Sequence, residues 1–146
     1  MLSVIVTRGN PAKLAGLLAM LTEAAVDGVV RDVILIGGDD PALLEALCGA
    51  TGAKTAADLA EAAASARSDW LLVVPPELRL LDGWVDRLND HLREGVREAR
   101  LRGVGGGWFR RAPEGVVIAR AKLAASVQPG AQELARKLSP GARRIG

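Results

Sequence analysis

The stretch DWLLVVPPELRLLDGW, residues 69–84, decides the fold. Its four consecutive apolar residues, Leu71 to Val74, are typical of a strand that is covered on both faces, as inner strands of parallel sheets are. The double proline that follows, Pro75-Pro76, has no N–H to give to a neighbouring strand, so the strand is predicted to end there. Ligands of open α/β sheets bind outside the carboxyl ends of the strands. The stretch therefore predicts a functional rim that carries Glu77 and Arg79.

Strands and helices alternate through residues 2–96, which predicts βα units with parallel strands and right-handed crossovers. Two of the helices begin at an N-cap residue followed by proline, Asn10-Pro11 and Asp40-Pro41. The other predicted elements are a strand at Leu2–Val6, a helix that ends at Asp27-Gly28, a strand at Val33–Ile36, a helix that ends near Cys48, a short strand at Ala53–Thr55, a helix at Asp58–Arg67 and a helix from Gly83 to about Val96.

The last part of the chain is predicted to add two strands that are antiparallel, Trp108-Phe109 and Val116–Ala119, joined by a Pro-Glu-Gly turn. Short helices are predicted around Lys122–Val127 and at Gln132–Leu138. The fold class is therefore α/β, a three-layer sandwich with a mostly parallel central sheet, helices on both faces and late antiparallel strands. Residues 1–138 are predicted to form a single domain, and residues 139–146 a C-terminal tail.

Composition excludes several classes of function. A single cysteine allows no internal disulfide and no cysteine-rich zinc site, and few aromatic residues argue against base stacking, so no nucleic-acid partner is expected. No basic region precedes an apolar segment at the N-terminus, and no apolar run is long enough to span a bilayer, which predicts a cytoplasmic protein with no transmembrane segment.

Charge is distributed unevenly along the chain. Residues 1–92 carry 7 basic and 13 acidic side chains, whereas residues 93–146 carry 12 basic and 4 acidic ones. The basic last third could contact a diphosphate, an anionic membrane surface as a peripheral protein, or an acidic protein partner. Arginines that only solvate the outer faces of the fold would give the same pattern.

Residues 69–84 resemble the strand-to-helix passage of GT-A-fold, family 2 glycosyltransferases. The matching features are an Asp-Trp-Leu-Leu strand, Arg79-Leu80, Gly83-Trp84 and the helix after them. The resemblance extends over about residues 2–127. In the family, an acidic loop follows the strand and binds a metal. Here Pro75 stands at the position of the first carboxylate of an Asp-x-Asp pair, and only Glu77 is acidic. The resemblance implies a GT-A, nucleotide-diphospho-sugar transferase-like fold.

The resemblance also implies where a nucleotide-sugar would bind. The loop after the first strand lies at the nucleotide in the family, and an Asp-rich turn after the second strand contacts the base and ribose. In this chain Gly37 stands where the family usually has that Asp, and Asp40 has a competing role as a helix N-cap. The implied nucleotide-binding residues are Thr7, Arg8, Asn10, Asp39, Asp40 and, through phosphate, Arg79.

Two acidic residues remain for metal binding and catalysis. Glu77 could hold Mg²⁺ or Mn²⁺ if the diphosphate supplies most of the oxygen ligands. Glu77 and Arg79 could equally form an ordinary solvated ion pair. The family's general base comes from a late Glu-Asp motif that this chain lacks, which leaves Glu114 as the candidate base by position alone.

Three functions are compatible with this pattern. The first is nucleotide-sugar-dependent glycosyl transfer with weakened or lost catalysis at a degenerate active site. The second is a non-catalytic binding or assembly module on the same fold, with a protein partner or a homodimer through the Gly/Trp-rich edge. The third, a nucleotidyltransferase, ranks last because the chain lacks that class's glycine-rich loop after the first strand.

Overall fold

A computed structural model describes residues 2–8, 11–37, 41–95, 98–103, 114–124 and 143–145. Its strands and helices alternate along most of the chain, as predicted. In chain order they are β1 Leu2–Val6, α1 Pro11–Val26, β2 Val30–Ile36, α2 Pro41–Thr51, β3 Lys54–Ala56, α3 Leu59–Ser65, β4 Trp70–Val74, α4 Trp84–Arg93, β5 Ala99–Arg102, β6 Glu114–Ala119, α5 Arg120–Ala124 and β7 Arg143–Ile145.

The described strands form one seven-stranded mixed sheet in the order β3-β2-β1-β4-β6-β5-β7. The pairs β2–β3, β1–β2, β1–β4 and β5–β7 are parallel, whereas β6 runs antiparallel to both β4 and β5. The predicted inner position of Leu71–Val74 is confirmed, because β4 lies between β1 and β6. The predicted α/β class is confirmed as well.

Each face of the sheet packs on its own apolar cluster. Alternate residues of a strand point to opposite faces, so Val4 and Leu72 belong to one cluster while Ile5 and Leu71 belong to the other. Helices α1, α2 and α4 contribute to the first cluster. Helix α3 contributes to the second through small side chains such as Ala62, which allow close approach to the sheet. Helices therefore flank the sheet on both faces, which is compatible with a three-layer sandwich.

The sequence prediction differs from the structure in the last third of the sheet. The predicted strand Val116–Ala119 is present as β6, but it begins at Glu114, within the predicted Pro-Glu-Gly turn. Its neighbours among the described residues are β4 and, on the other side, β5, which was not predicted because its alternation of buried and more exposed residues spans only Ala99–Arg102. The predicted strand at Trp108-Phe109 and helix at Gln132–Leu138 lie outside the described residues.

The predicted C-terminal tail also needs correction. Residues Arg143–Ile145 form β7, which pairs in parallel with β5. Three residues are too few to show the period of two that identifies a strand in a sequence. The pairing with β5, rather than local sequence preference, therefore accounts for this strand. Among the described residues, no helix combines the length and the apolar character needed to cross a membrane.

Helix α3 begins at a side-chain cap that makes one testable contribution to stability. The Asp58 carboxylate accepts a hydrogen bond from the backbone N–H of Glu61 at 2.8 Å, and the Glu61 carboxylate accepts one from the N–H of Ala57 at 2.9 Å. Asp58→Ala should lower the free energy of unfolding by about 1 kcal/mol because the first turn loses an acceptor. Urea denaturation would measure this, with the exposed Asp90→Ala in α4 as the control; equal losses in both variants would contradict a capping role.

Candidate functional site

The order of the parallel strands reverses beside β1. From β1 the chain passes to β2 and β3 on one side, and it then returns to place β4 on the other side of β1. The helices of the first two connections pack on one face and α3 of the third packs on the opposite face. Where the strand order reverses in this way, α/β sheets bind ligands between the loops at the carboxyl ends of the strands. We call the space between Thr7–Arg8 and the loop Pro75–Leu80 the switch-point crevice.

The β1 side of the switch-point crevice consists of Thr7 and Arg8. The N–H of Thr7 donates to the carbonyl oxygen of Val74 at 2.9 Å, and its hydroxyl lies 3.4 Å from the same oxygen. Thr7 thus extends the pairing between β1 and β4. Arg8 is exposed, which leaves its side chain accessible from solvent. The other nucleotide-binding candidates of this half, Asn10, Asp39 and Asp40, lie outside the described residues.

The β4 side of the crevice is a compact turn. Pro75 and Pro76 are buried, and the N–H of Leu78 donates to the carbonyl of Pro75 at 3.1 Å. Leu78 is fully buried and belongs to the same apolar cluster as α1. Glu77 lies between these buried residues and is exposed. The buried residues Pro75, Pro76 and Leu78 thus hold the turn against the core, and Glu77 lies at the surface.

Arg79 has a different environment from the one implied by the resemblance. Its guanidinium Nη1 donates to the carbonyl oxygens of Leu78 at 2.8 Å and Pro76 at 3.2 Å, and Nη2 donates to that of Lys13 in α1 at 2.9 Å. The side chain is half-buried. The structure therefore places these donors on backbone oxygens, so Arg79 joins the β4 loop to α1.

Glu114 lies at the same edge of the sheet as Glu77. It is the first residue of β6, and β6 runs antiparallel to β4 with Val73 opposite Val116, so the start of β6 lies beside the end of β4. Neighbouring strands are about 4.8 Å apart, which puts Glu114 one strand away from the crevice. Its Cα partner in β5 is Arg102, a cross-strand neighbour of opposite charge.

The described residues offer limited means of holding a divalent ion. They contain no group of three or more His, Cys, Asp or Glu side chains that could bind a metal. Glu77 can supply one carboxylate to Mg²⁺ or Mn²⁺. Such ions usually have about six oxygen ligands, and water often supplies several of them. A metal would fit at Glu77 only in company with a ligand that brings its own oxygens, as a diphosphate does.

Arg120, the residue directly after β6, lies far from this edge. It follows the carboxyl end of β6, which pairs with the amino end of β4. Its guanidinium donates to the carbonyl of Ala66 at 2.9 Å and forms an ion pair with Asp69 at 3.3 Å. Arg120 therefore ties β6 to the segment between α3 and β4 at the amino end of β4.

A cleft that the sequence does not reveal lies at the open edge of the sheet, beside β3. It encloses about 670 Å³ between α2 and β3, and its lining includes Gly37, Leu44, Cys48 and Lys54. Burial raises the pKa of the Cys48 thiol, so the thiol is protonated at neutral pH and is a poor nucleophile. No sequence motif marks this cleft because its walls come from separate elements that only the fold brings together.

Comparison with models of protein families, and with curated proteins, finds no match for this chain. The described residues that the fold brings together at the carboxyl edge are Thr7, Arg8, Glu77 and Glu114. Arg8 supplies a cation on one side of the switch-point crevice, and Glu77 supplies a carboxylate on the other. Such a pair suits a ligand that carries both phosphates and hydroxyl groups.

Proposed function

We propose that this chain binds a nucleotide-sugar in the switch-point crevice and that its capacity for sugar transfer is weakened or lost. The reversal of strand order beside β1 carries the proposal, because α/β sheets bind ligands at the carboxyl ends of the strands next to such a reversal. The GT-A-like sequence of residues 69–84 supports a nucleotide-sugar as the ligand of that crevice.

Each polar group at this edge has a role in the proposal. Arg8 neutralises the diphosphate, since guanidinium groups pair well with phosphate oxygens. Glu77 shares a Mg²⁺ or Mn²⁺ ion with the diphosphate. Glu114, one strand away, is the candidate base for an acceptor hydroxyl. Catalysis is weak in this proposal because a single carboxylate replaces the usual pair at the metal and because Arg79 donates to backbone carbonyls.

A non-catalytic binding or assembly module is the alternative, and the environment of two residues favours it. The hydroxyl of Thr7 and the guanidinium of Arg79 both contact backbone oxygens of the fold itself. Two of the groups implied to bind the nucleotide thus contribute to the fold. A chain that kept the sheet and used it to bind a protein would show the same arrangement.

Calorimetric titration with UDP- and GDP-sugars, with and without Mn²⁺, tests the proposal. We expect one of these ligands to bind, and Arg8→Ala to weaken the affinity about ten-fold because a charge-assisted contact to phosphate is lost. Glu77→Ala should remove the dependence of binding on Mn²⁺. The matched control is Arg31→Ala, an exposed arginine near the amino end of β2, which should leave the affinity unchanged.

The outcomes separate the two functions. Equal weakening by Arg8→Ala and Arg31→Ala would show that attraction is non-specific and would contradict binding at the crevice. No binding of any of these nucleotides by the folded wild-type protein would reject the proposal and favour the assembly module. If a bound nucleotide-sugar is turned over and the turnover depends on Glu114, only the proposed loss of catalysis is contradicted, and the proposed binding stands.

A further inference from the structure

We propose that Arg79 is a positioning residue that fixes the loop of Glu77 at the switch-point crevice, and that Gly16 in α1 makes room for it. The inference rests on the proposed function for its consequence in ligand binding. The positioning itself stands on the hydrogen bonds and close contacts of the Arg79 guanidinium.

The guanidinium fixes the backbone on both sides of Glu77. Its Nη1 donates to the carbonyls of Pro76 and Leu78, the residues directly before and after Glu77, at 3.2 and 2.8 Å. One rigid, planar group therefore holds the carbonyl of the residue before Glu77 and the carbonyl of the residue after it. Glu77 itself is exposed, so these contacts act on the backbone of its loop.

The same guanidinium is attached to α1. Its Nη2 donates to the carbonyl of Lys13 at 2.9 Å, and it lies over Gly16, where an added Cβ would stand 2.8 Å from Nη2 and 3.2 Å from Cζ. Glycine is a weaker helix former than alanine, so Gly16 is unfavourable for the helix taken alone. The contact with Arg79 explains why a residue without a side chain suits this position.

This connection joins the two sides of the switch-point crevice. Helix α1 follows the β1 loop that carries Arg8, and the Pro75–Leu80 loop carries Glu77. Arg79 bridges the first turns of α1 and this loop, so it sets the separation of the two sides before a ligand arrives. Binding then has less conformational freedom to remove from the Glu77 loop, which strengthens it. Without Arg79 the loop would have to be ordered by the ligand.

Amide hydrogen exchange measured by NMR tests the positioning without any ligand. In Arg79→Ala we expect the amide of Leu78, which donates to the carbonyl of Pro75, to exchange about ten-fold faster, while the amide of Leu72 in β4 keeps its wild-type protection. Gly16→Ala should act in the same direction but more weakly, because its Cβ forces the guanidinium to shift without removing it, while alanine is the better helix former in α1. Arg79→Lys should restore part of the protection, since an ammonium can still donate to a carbonyl.

Arg87→Ala is the matched control for this experiment. Arg87 also donates from its guanidinium to a backbone oxygen, that of Asp82 at 2.9 Å, but it lies in α4 beyond the Glu77 loop. Its loss should leave the exchange of Leu78 unchanged. If Arg79→Ala also leaves the exchange of Leu78 unchanged, Arg79 does not position the loop.

Nucleotide titration in Mn²⁺ then tests the consequence. We expect Arg79→Ala to weaken nucleotide-sugar affinity about ten-fold in wild type and much less in a Glu77→Ala background, because Arg79 acts through Glu77. Additive losses would show instead that Arg79 contacts the ligand directly, which would overturn the inference. If no variant binds a nucleotide, the proposed function fails, and the exchange experiment alone decides whether Arg79 positions the loop.

Discussion

Replacing Leu72 by alanine is expected to lower the free energy of unfolding by about 3 kcal/mol, within the range typical of buried leucines. Leu72 lies in the middle of β4 and is fully buried. Its Cα partners are Val4 of β1 and Val117 of β6, so β4 is covered by strands on both sides as well as by helices. The surrounding residues cannot close the cavity easily, and the loss therefore combines lost burial with a residual void.

Urea denaturation followed by circular dichroism measures this loss, with Leu47→Ala as the matched control. Leu47 lies in α2 and is only half-buried against the same apolar cluster, so its truncation should cost about 1 kcal/mol. The slope of the transition should stay the same in both variants if only the folded state changes. Losses of equal size would contradict the placement of β4 at the centre of the sheet.

The inner strands of this fold could be predicted because their signals are local. Leu71–Val74 is an uninterrupted apolar run that ends at two prolines, and Asn10-Pro11 and Asp40-Pro41 mark helix starts within single dipeptides. Such features depend little on the rest of the chain. Strands β5 and β7, at the end of the sheet away from β3, lack them, because four and three residues are too few to identify a strand and pairing in the sheet determines their state.

The candidate site could be predicted only in part, for a similar reason. The sequence places Glu77 and Arg79 after β4, and the structure puts both there. The sequence cannot show that Gly16, sixty-three residues before Arg79, lies beneath the guanidinium, because that contact depends on how α1 crosses the sheet. Glu114 reaches the same edge only because β6 is antiparallel to β4. The roles of Asn10, Asp39 and Asp40 stay predictions.

Removal of the Ser3 hydroxyl should also destabilise the protein strongly, by about 2 kcal/mol in Ser3→Ala. Ser3 is fully buried in β1, near the amino ends of the strands and away from the switch-point crevice. Its hydroxyl donates to the carboxylate of Asp32 in β2 and accepts a hydrogen bond from the backbone N–H of Ser68 at 3.0 Å. The second carboxylate oxygen of Asp32 lies 3.3 Å from the N–H of Arg67.

Ser3→Ala would leave the buried Ser68 N–H without its acceptor, and it would remove one donor from the Asp32 carboxylate. A buried group that loses its hydrogen-bond partner bears the full cost of desolvation. Ser65→Ala is the control, since Ser65 is exposed in α3 and alanine is the better helix former there. Its free energy of unfolding should stay equal or rise slightly. A loss in Ser3→Ala no larger than in Ser65→Ala would mean that the bonds through Ser3 do not hold the α3–β4 connection to β1 and β2.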